Sequence, residues 1–255
     1  MTVNSIIREF RKGDPRPKIL VVSHERSGTH FLMNTLAACF GYTSVPWLNF
    51  DQGSAVVNFY SAESVRRFFS EFSDVRLANT IKSHHPFVFF RGNADYLFEN
   101  YRVIYIHRHP LGALMSFWKL INSLSWTEGP RLPTFDAFLK APPAGNCMRF
   151  QMTQQPSMLH RWNDHVQGWT SASGAGSRFM VLRYEDLDEE FENSVHQLGD
   201  WLKLPIHSLQ RPDRRRGVIH PSEFSAHESQ HEFSPETLNF LSSVSGDLLD
   251  KLGYD

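Results

Sequence analysis

The sequence has little cysteine and no long apolar run. Its two cysteines, Cys39 and Cys147, stand far apart and outside any metal-ligand spacing. This pattern argues against a disulfide framework and favours reduced thiols in a cytoplasmic protein. No apolar run approaches the roughly 20 residues that a membrane-spanning helix needs, so we expect no membrane span.

The chain also lacks an excess of either charge. It has 26 Lys and Arg against 27 Asp and Glu, for a formal net charge of −1. Near-neutrality argues against broad binding to nucleic acid or to an anionic membrane, but it allows a local anion site. Residues 1–17 carry charges throughout and have no apolar core, so they do not resemble a secretory signal. We assign residues 1–17 to an N-terminal arm and residues 18–255 to one domain.

Short apolar runs alternate with helical patterns along this domain. The patterns predict strands at residues 19–22, 76–82, 102–107 and 179–182, and helices near residues 29–40, 65–72, 93–99, 110–120, 135–139, 158–169, 189–202 and from 235 onward. This alternation predicts a single α/β domain with a central parallel sheet flanked by helices. In such folds ligands bind at the carboxyl ends of the strands.

The first strand runs into a loop with the composition of a phosphate cradle. In SHERSGTHF, Gly28 lets the backbone approach a ligand, while Arg26, Ser27 and Thr29 supply a cation and two hydroxyls. The following helix start offers unpaired N–H groups and a positive dipole end. The loop lacks the first glycine and the lysine of the G-x-x-x-x-G-K-[ST] nucleotide loop. On this stretch alone, an ordinary strand-to-helix turn stays open as the alternative.

Two cationic clusters also follow predicted strands. Arg108 and Ser116 lie eight positions apart, about two helical turns, and both could face one anion. Three arginines precede Gly217 in a loop and could hold a phosphate through bidentate contacts. The alternatives are a surface arginine with an unrelated serine, and a solvated basic run.

A candidate base follows the second predicted strand, in the segment IKSHHP. His84 and His85 are next to each other, two and three positions after Lys82. Histidine is the natural general base near neutral pH. Since the chain has thirteen histidines, a satisfied histidine at a strand end is the alternative.

Taken in order, these blocks resemble the sulfotransferase family that uses 3'-phosphoadenosine 5'-phosphosulfate (PAPS). The matching blocks are SHERSGTHF, IKSHHP, YRVIYIHRHPLGALMSFW and RRGV, with HRWNDHVQGW and FMVLRYEDL in support. The resemblance implies a P-loop-NTPase-like fold with a phosphosulfate-binding loop. It also implies in-line sulfuryl transfer to a hydroxyl or amine, with 3'-phosphoadenosine 5'-phosphate (PAP) as product and no metal.

The resemblance implies a role for each matching residue. His84 would be the catalytic base, Lys82 would stabilise the transferring group, and Arg26 would contact the 5'-phosphate and the bridging oxygen. His85 competes with His84 for the role of base. The implied donor-binding residues are Arg26, Ser27, Gly28, Thr29 and His30 at the 5' end, Arg108, Ser116, Arg215, Arg216 and Gly217 at the 3'-phosphate, and Phe31 and Tyr184 near the adenine.

Some features depart from the family pattern. Cytosolic members usually have lysine where Arg26 stands, and arginine cannot serve as a proton donor, so its role here should be electrostatic. The expected dimer motif is not recognisable, which leaves the oligomeric state open. The alternative functions are a P-loop small-molecule kinase and a non-catalytic nucleotide-binding protein of the same fold.

The acceptor is expected to be small and partly apolar. Aromatic residues in the loops at 42–60 and 117–135 would line its pocket; the candidates are Tyr42, Trp47, Phe59, Phe117 and Trp126. A highly charged sugar polymer would need basic walls instead. The same aromatic residues could also belong to the core.

Overall fold

The computed structural model describes residues 16–43, 61–73, 80–172, 176–213 and 233–254. In these ranges four strands form one parallel sheet: β1 (Ile19–Val22), β2 (Thr80–Ser83), β3 (Arg102–His107) and β4 (Phe179–Arg183). The strand order is β2-β1-β3-β4. Ile19 pairs with Thr80 on one side and with Arg102 on the other, so the three strands start in step. Their carboxyl ends therefore meet at one edge of the sheet.

Helices and short 3-10 turns connect the strands. The helices are α1 (Thr29–Phe40), α2 (Ala62–Ser73), α3 (Phe87–Phe90), α4 (Ala94–Asn100), α5 (Pro110–Ser123), α6 (Phe135–Lys140), α7 (Met158–Thr170), α8 (Tyr184–Glu189), α9 (Phe191–Leu202) and α10 (Pro235–Leu252). Local chemistry explains several ends. Pro110 occupies the first turn of α5, and the Ser157 and Ser234 hydroxyls cap α7 and α10. Gly41 ends α1 in the left-handed conformation.

The sheet buries both of its faces. Leu20 and Val22 of β1 belong to one hydrophobic cluster, while Ile19 and Val21 belong to a second cluster on the opposite face. This period-two division explains why β1 is apolar at every position. The predicted α/β class, with a parallel sheet between helices, is confirmed.

The second strand is described from Thr80 onward, because the predicted residues 76–79 lie outside the described ranges. Two short helices were not predicted. The helix predicted from residue 189 is preceded by α8, which starts directly after β4. There the Glu185 carboxylate accepts a hydrogen bond from the backbone N–H of His109. No local sequence pattern predicts this tertiary contact. The short helix α3 was not predicted, because its aromatic run carries no helical period.

None of the helices in the described ranges has both the length and the apolar character required to cross a membrane.

Candidate active site

The predicted site residues come from turns at the carboxyl ends of three adjacent strands. The loop at residues 23–28 follows β1, His84 follows β2, and Arg108 follows β3. The backbone N–H of Ser23 donates to the carbonyl of Ser83, which ties the first two turns together. The structure therefore brings together blocks that are up to 90 positions apart in sequence.

The loop after β1 has the geometry of an anion cradle. Gly28 has φ +96°, and a Cβ atom there would lie 2.3 Å from Cδ2 of Tyr184, so a larger residue does not fit. Helix α1 has no side-chain cap and no acidic residue in its first turn, which leaves its positive end available to an anion. The buried Ser27 hydroxyl has no hydrogen-bond partner among the described residues. A phosphate would satisfy these donors.

Two guanidinium groups lie close to this cradle. Arg26 donates from Nε to the Ser116 hydroxyl at 3.0 Å, so the loop meets the predicted 3'-phosphate pair. The Arg108 guanidinium lies 4.5 Å from the ring centroid of Tyr184. Burial and the positive charge of Arg108 lower the pKa of Arg26 to about 10. Two cations held this close create a positive potential suited to a multiply charged anion.

Hydrogen bonding orients the ring of His84. Its Nδ1 lies 2.9 Å from the backbone carbonyl of Ser23, which can only accept, so Nδ1 carries the proton in the neutral ring. The lone pair is then on Nε2, the nitrogen that a general base would use. The Phe150 ring lies 5.6 Å from that of His84.

His85 has different surroundings. It is buried, its ring centroid is 4.0 Å from that of Phe89, and its Nδ1 lies 3.2 Å from the Ser83 hydroxyl. These contacts are typical of a core histidine. The geometry therefore favours His84 over His85 as the group that meets an acceptor.

The other loop residues also make specific contacts. Lys82 donates from Nζ to Nε2 of His30 at 2.9 Å, which connects β2 to the first turn of α1. The Thr29 and Ser23 hydroxyls are 2.5 Å apart. Lys82 and His30 thus lie beside the cradle, and their roles stay predictions.

Phe31 and Tyr184 lie together in the interior. Phe31 is only 3% exposed, and its ring contacts those of Tyr184 and Phe191. The Arg211 guanidinium lies 5.2 Å from the centroid of Phe31, and it forms an ion pair with the buried Asp188. The adenine roles of Phe31 and Tyr184 stay predictions, and Arg211 is a neighbour that the sequence did not indicate.

Several predicted residues lie elsewhere or outside the described ranges. Outside them are Arg215, Arg216 and Gly217 of the late loop, and Trp47 and Phe59 of the expected acceptor pocket. Tyr42 and Phe117 are buried in the core, which is the alternative left open for them, and the Tyr42 hydroxyl donates to the carbonyl of Pro17. Their place in an acceptor pocket stays a prediction. Trp126 is 46% exposed, so its role stays a prediction.

Sequence reasoning missed a buried ionic cluster beneath the loop. Arg161 donates from Nη2 to the Glu25 carboxylate at 2.6 Å and from Nη1 to Nε2 of His24 at 2.7 Å. Burial would raise the pKa of Glu25, but the opposing charge of Arg161 holds it well below its usual range. Burial lowers the pKa of His24 to about 4. The segment HRWNDHVQGW contains Arg161, but nothing in the segment indicates which residues Arg161 contacts.

We expect the fold to lose stability as the pH falls below about 6.5. Burial lowers the pKa of His24 and of His107 to about 4, against an ordinary value of 6.5. Each ring therefore binds fewer protons in the folded chain than in the unfolded one, so acid favours unfolding. Between pH 6.5 and 4, each of these two histidines should lower the free energy of unfolding by about 1.4 kcal/mol for each unit by which the pH falls. Urea titration at several pH values measures this loss.

Variants of single histidines check this assignment. His107→Gln should make the pH dependence of the unfolding free energy shallower, whereas His196→Gln, which changes an exposed histidine of α9, should not. Equal slopes in the parent and His107→Gln would contradict the prediction.

Comparison with known proteins places this geometry in a family. A family model described as the sulfotransferase domain matches residues 16–231. Cytosolic sulfotransferase 14 of Arabidopsis thaliana is 22% identical over 149 residues, which are 58% of this chain. The match spans 39% of that relative's length.

Solved structures share the fold at low identity. Mouse sulfotransferase SULT7A1 complexed with PAP superposes with a TM-score of 0.53 at 14% identity, over 98% of this chain and 91% of that one. The sulfotransferase domain from the curacin biosynthetic pathway gives a TM-score of 0.52 at 15% identity, over 96% of this chain and 99% of that one. Retinol dehydratase in a complex with retinol and PAP gives a TM-score of 0.52 at 13% identity, over 94% of this chain and 84% of that one. With the family model matching most of its length, this chain belongs to the sulfotransferase domain family.

Proposed function

We propose that the protein transfers a sulfuryl group from PAPS to the hydroxyl or amine of a small, partly apolar acceptor. The observation that carries this proposal is the meeting of a phosphate cradle, two arginines and an oriented histidine at one sheet edge. Arg26 is the central contact, because its hydrogen bond to Ser116 links the loop after β1 to the helix after β3.

The donor would lie across the two cationic parts of the site. Its 5'-phosphosulfate would take the N–H groups at the start of α1, the Ser27 hydroxyl and Arg26. Its 3'-phosphate would take Arg108 and Ser116, with Arg215, Arg216 and Gly217 closing over it, and its adenine would lie near Phe31 and Tyr184. Two features support the first contact: the Ser27 hydroxyl, which has no hydrogen-bond partner within the described ranges, and the uncapped start of α1. PAP, the product expected from this donor, is present in two of the structural relatives.

The reaction would be an in-line displacement at sulfur. The acceptor oxygen bonds to sulfur while the bond from sulfur to the bridging oxygen breaks, and that electron pair leaves with PAP. His84 takes the acceptor's proton on Nε2, and its Nδ1–H bond to the Ser23 carbonyl strengthens as the ring becomes charged. Arg26 and Lys82 stabilise the charge that develops on the bridging oxygen and the sulfuryl oxygens.

The acceptor would bind next to Phe150. This ring contacts His84, and the same segment carries Met148 and Met152, which are 44% and 49% exposed. Exposed flexible thioethers on the segment that carries Phe150 suit an apolar molecule better than a charged sugar polymer. Trp126 remains a candidate for the outer wall of this region.

Nucleotide selectivity tests the proposal. We expect PAP to stabilise the protein strongly and ATP with magnesium to stabilise it much less, because Arg108 and Ser116 suit a 3'-phosphate, which ATP lacks. At about 100 times its dissociation constant, PAP should add about 2.7 kcal/mol, measured by a thermal shift. Arg108→Ala should lose most of this shift. Arg66→Ala is the matched control. Arg66 lies on α2, and its guanidinium also packs on the ring of a tyrosine, Tyr96.

Two outcomes would contradict the proposal. A shift with ATP and magnesium alone would favour a kinase. A PAP shift in a protein that never consumes PAPS with any acceptor would favour a non-catalytic nucleotide-binding protein.

A further inference from the structure

We infer that His165 of α7 is a positioning residue that holds His84 in its reactive orientation through a hydrogen bond to the His84 carbonyl. The inference rests on the proposed function, in which His84 takes the acceptor's proton. It concerns a buried histidine that the reaction itself does not use.

Three hydrogen bonds connect these two residues to their neighbours. The Tyr105 hydroxyl lies 3.0 Å from Nδ1 of His165, and Nε2 of His165 lies 3.1 Å from the carbonyl of His84. Nδ1 of His84 then lies 2.9 Å from the carbonyl of Ser23. The peptide of His84 and its ring are thus held from opposite sides.

Only one arrangement of protons satisfies these hydrogen bonds. A carbonyl accepts and never donates, so Nε2 of His165 carries a proton and donates to the His84 carbonyl. Burial keeps His165 neutral by lowering its pKa well below the ordinary value. Its Nδ1 must therefore accept, and the Tyr105 hydroxyl must donate. The direction of every bond is fixed, so the arrangement has one low-energy state.

Burial makes this state costly to leave. His165 is 3% exposed and Tyr105 is fully buried, so no solvent replaces a lost bond. The rings next to His165 are those of His24 and Tyr105, and the charged Arg161 and Glu25 lie next to His24. None of these groups offers the His84 carbonyl another donor within the described hydrogen bonds.

A second contact from the same helix supports this arrangement. Trp169, one helical turn after His165, donates from Nε1 to the carbonyl of His85 at 3.0 Å. Helix α7 therefore fixes two successive carbonyls after β2. The end of a strand is normally free to adjust, and this double attachment restricts it. Since a misplacement of about 1 Å can cost on the order of 100-fold in rate, the attachment controls how His84 meets the acceptor.

Three variants test the inference in the full chain. His165→Phe keeps an aromatic ring, slightly larger than imidazole, but removes both hydrogen bonds, so kcat should fall about tenfold to hundredfold. The dissociation constant of PAP should stay within about twofold, because the cradle is unchanged. His165→Gln should restore much of kcat, since its amide can donate to His84 and accept from Tyr105. Tyr105→Phe should cost less than His165→Phe, and it gives a second reading if His165→Phe fails to fold.

Matched controls separate positioning from a general loss of stability. His160→Phe removes a histidine bond to Ser157 on the same helix and should leave kcat unchanged. In a His84→Ala background, His165→Phe should cause no further loss. A further loss there, or full kcat in a folded His165→Phe protein, would overturn the inference. Full turnover in His84→Ala alone would instead remove the proposed base, and with it the inference.

Discussion

Replacing His84 by alanine is expected to reduce turnover by about 10²- to 10⁴-fold while leaving the affinity for PAP unchanged. The substitution removes the nitrogen that would take the acceptor's proton, but it touches neither Arg26 nor the N-terminus of α1. Turnover is measured as PAP release with a reporter phenol, and affinity by calorimetry. Added imidazole should restore part of the lost rate, because a diffusible base can enter the space left by the ring.

His85→Gln is the matched control for this experiment. Its amide can keep a hydrogen bond to the Ser83 hydroxyl, so the change tests the neighbouring histidine without emptying the core. We expect only a small change in turnover. Full activity in His84→Ala together with a large loss in His85→Gln would assign the base to His85.

Replacing Arg161 by methionine is expected to lower the free energy of unfolding by about 3–5 kcal/mol. The change removes the partner of the Glu25 carboxylate and leaves that charge buried beneath the phosphate loop. The double variant Arg161→Met with Glu25→Gln should recover much of the loss, because no charge is then left unpaired. Urea denaturation at pH 7.5 measures both.

An exposed ion pair provides the comparison. Nζ of Lys140 lies 2.9 Å from Oδ1 of Asp136 on α6, and both side chains are about 40% exposed. Lys140→Met should change stability by less than about 1 kcal/mol. If the Arg161→Met and double variants were equally unstable, the ion pair with Glu25 would not be the cause.

Strand and loop positions could be predicted because they depend on local chemistry. The run Arg102–His107 is β-branched and aromatic without a breaker, and it forms β3 over those residues. Gly28 was predicted to allow close approach of the backbone, and it has the positive φ that favours glycine. These features depend on neighbours within a few positions, which a sequence displays directly.

The partners of buried polar groups could not be predicted. Arg161 and Glu25 are 136 positions apart, and no sequence pattern near either residue predicts their contact. Likewise the orientation of His84 depends on a carbonyl 61 positions away. The first contact arises only when α7 packs against the loop after β1, and the second only when β1 and β2 pair side by side.

The order of residues therefore decided the class of fold, the candidate phosphate loop and the list of candidate groups, because propensity and residue chemistry act over short ranges. Packing alone decided which histidine faces outward, which arginine supports the loop and which tautomer His84 adopts. Burial removes the water that would otherwise satisfy each polar atom, so most buried donors find an acceptor within the protein, often in another element. That requirement couples distant segments and sets the geometry of the site.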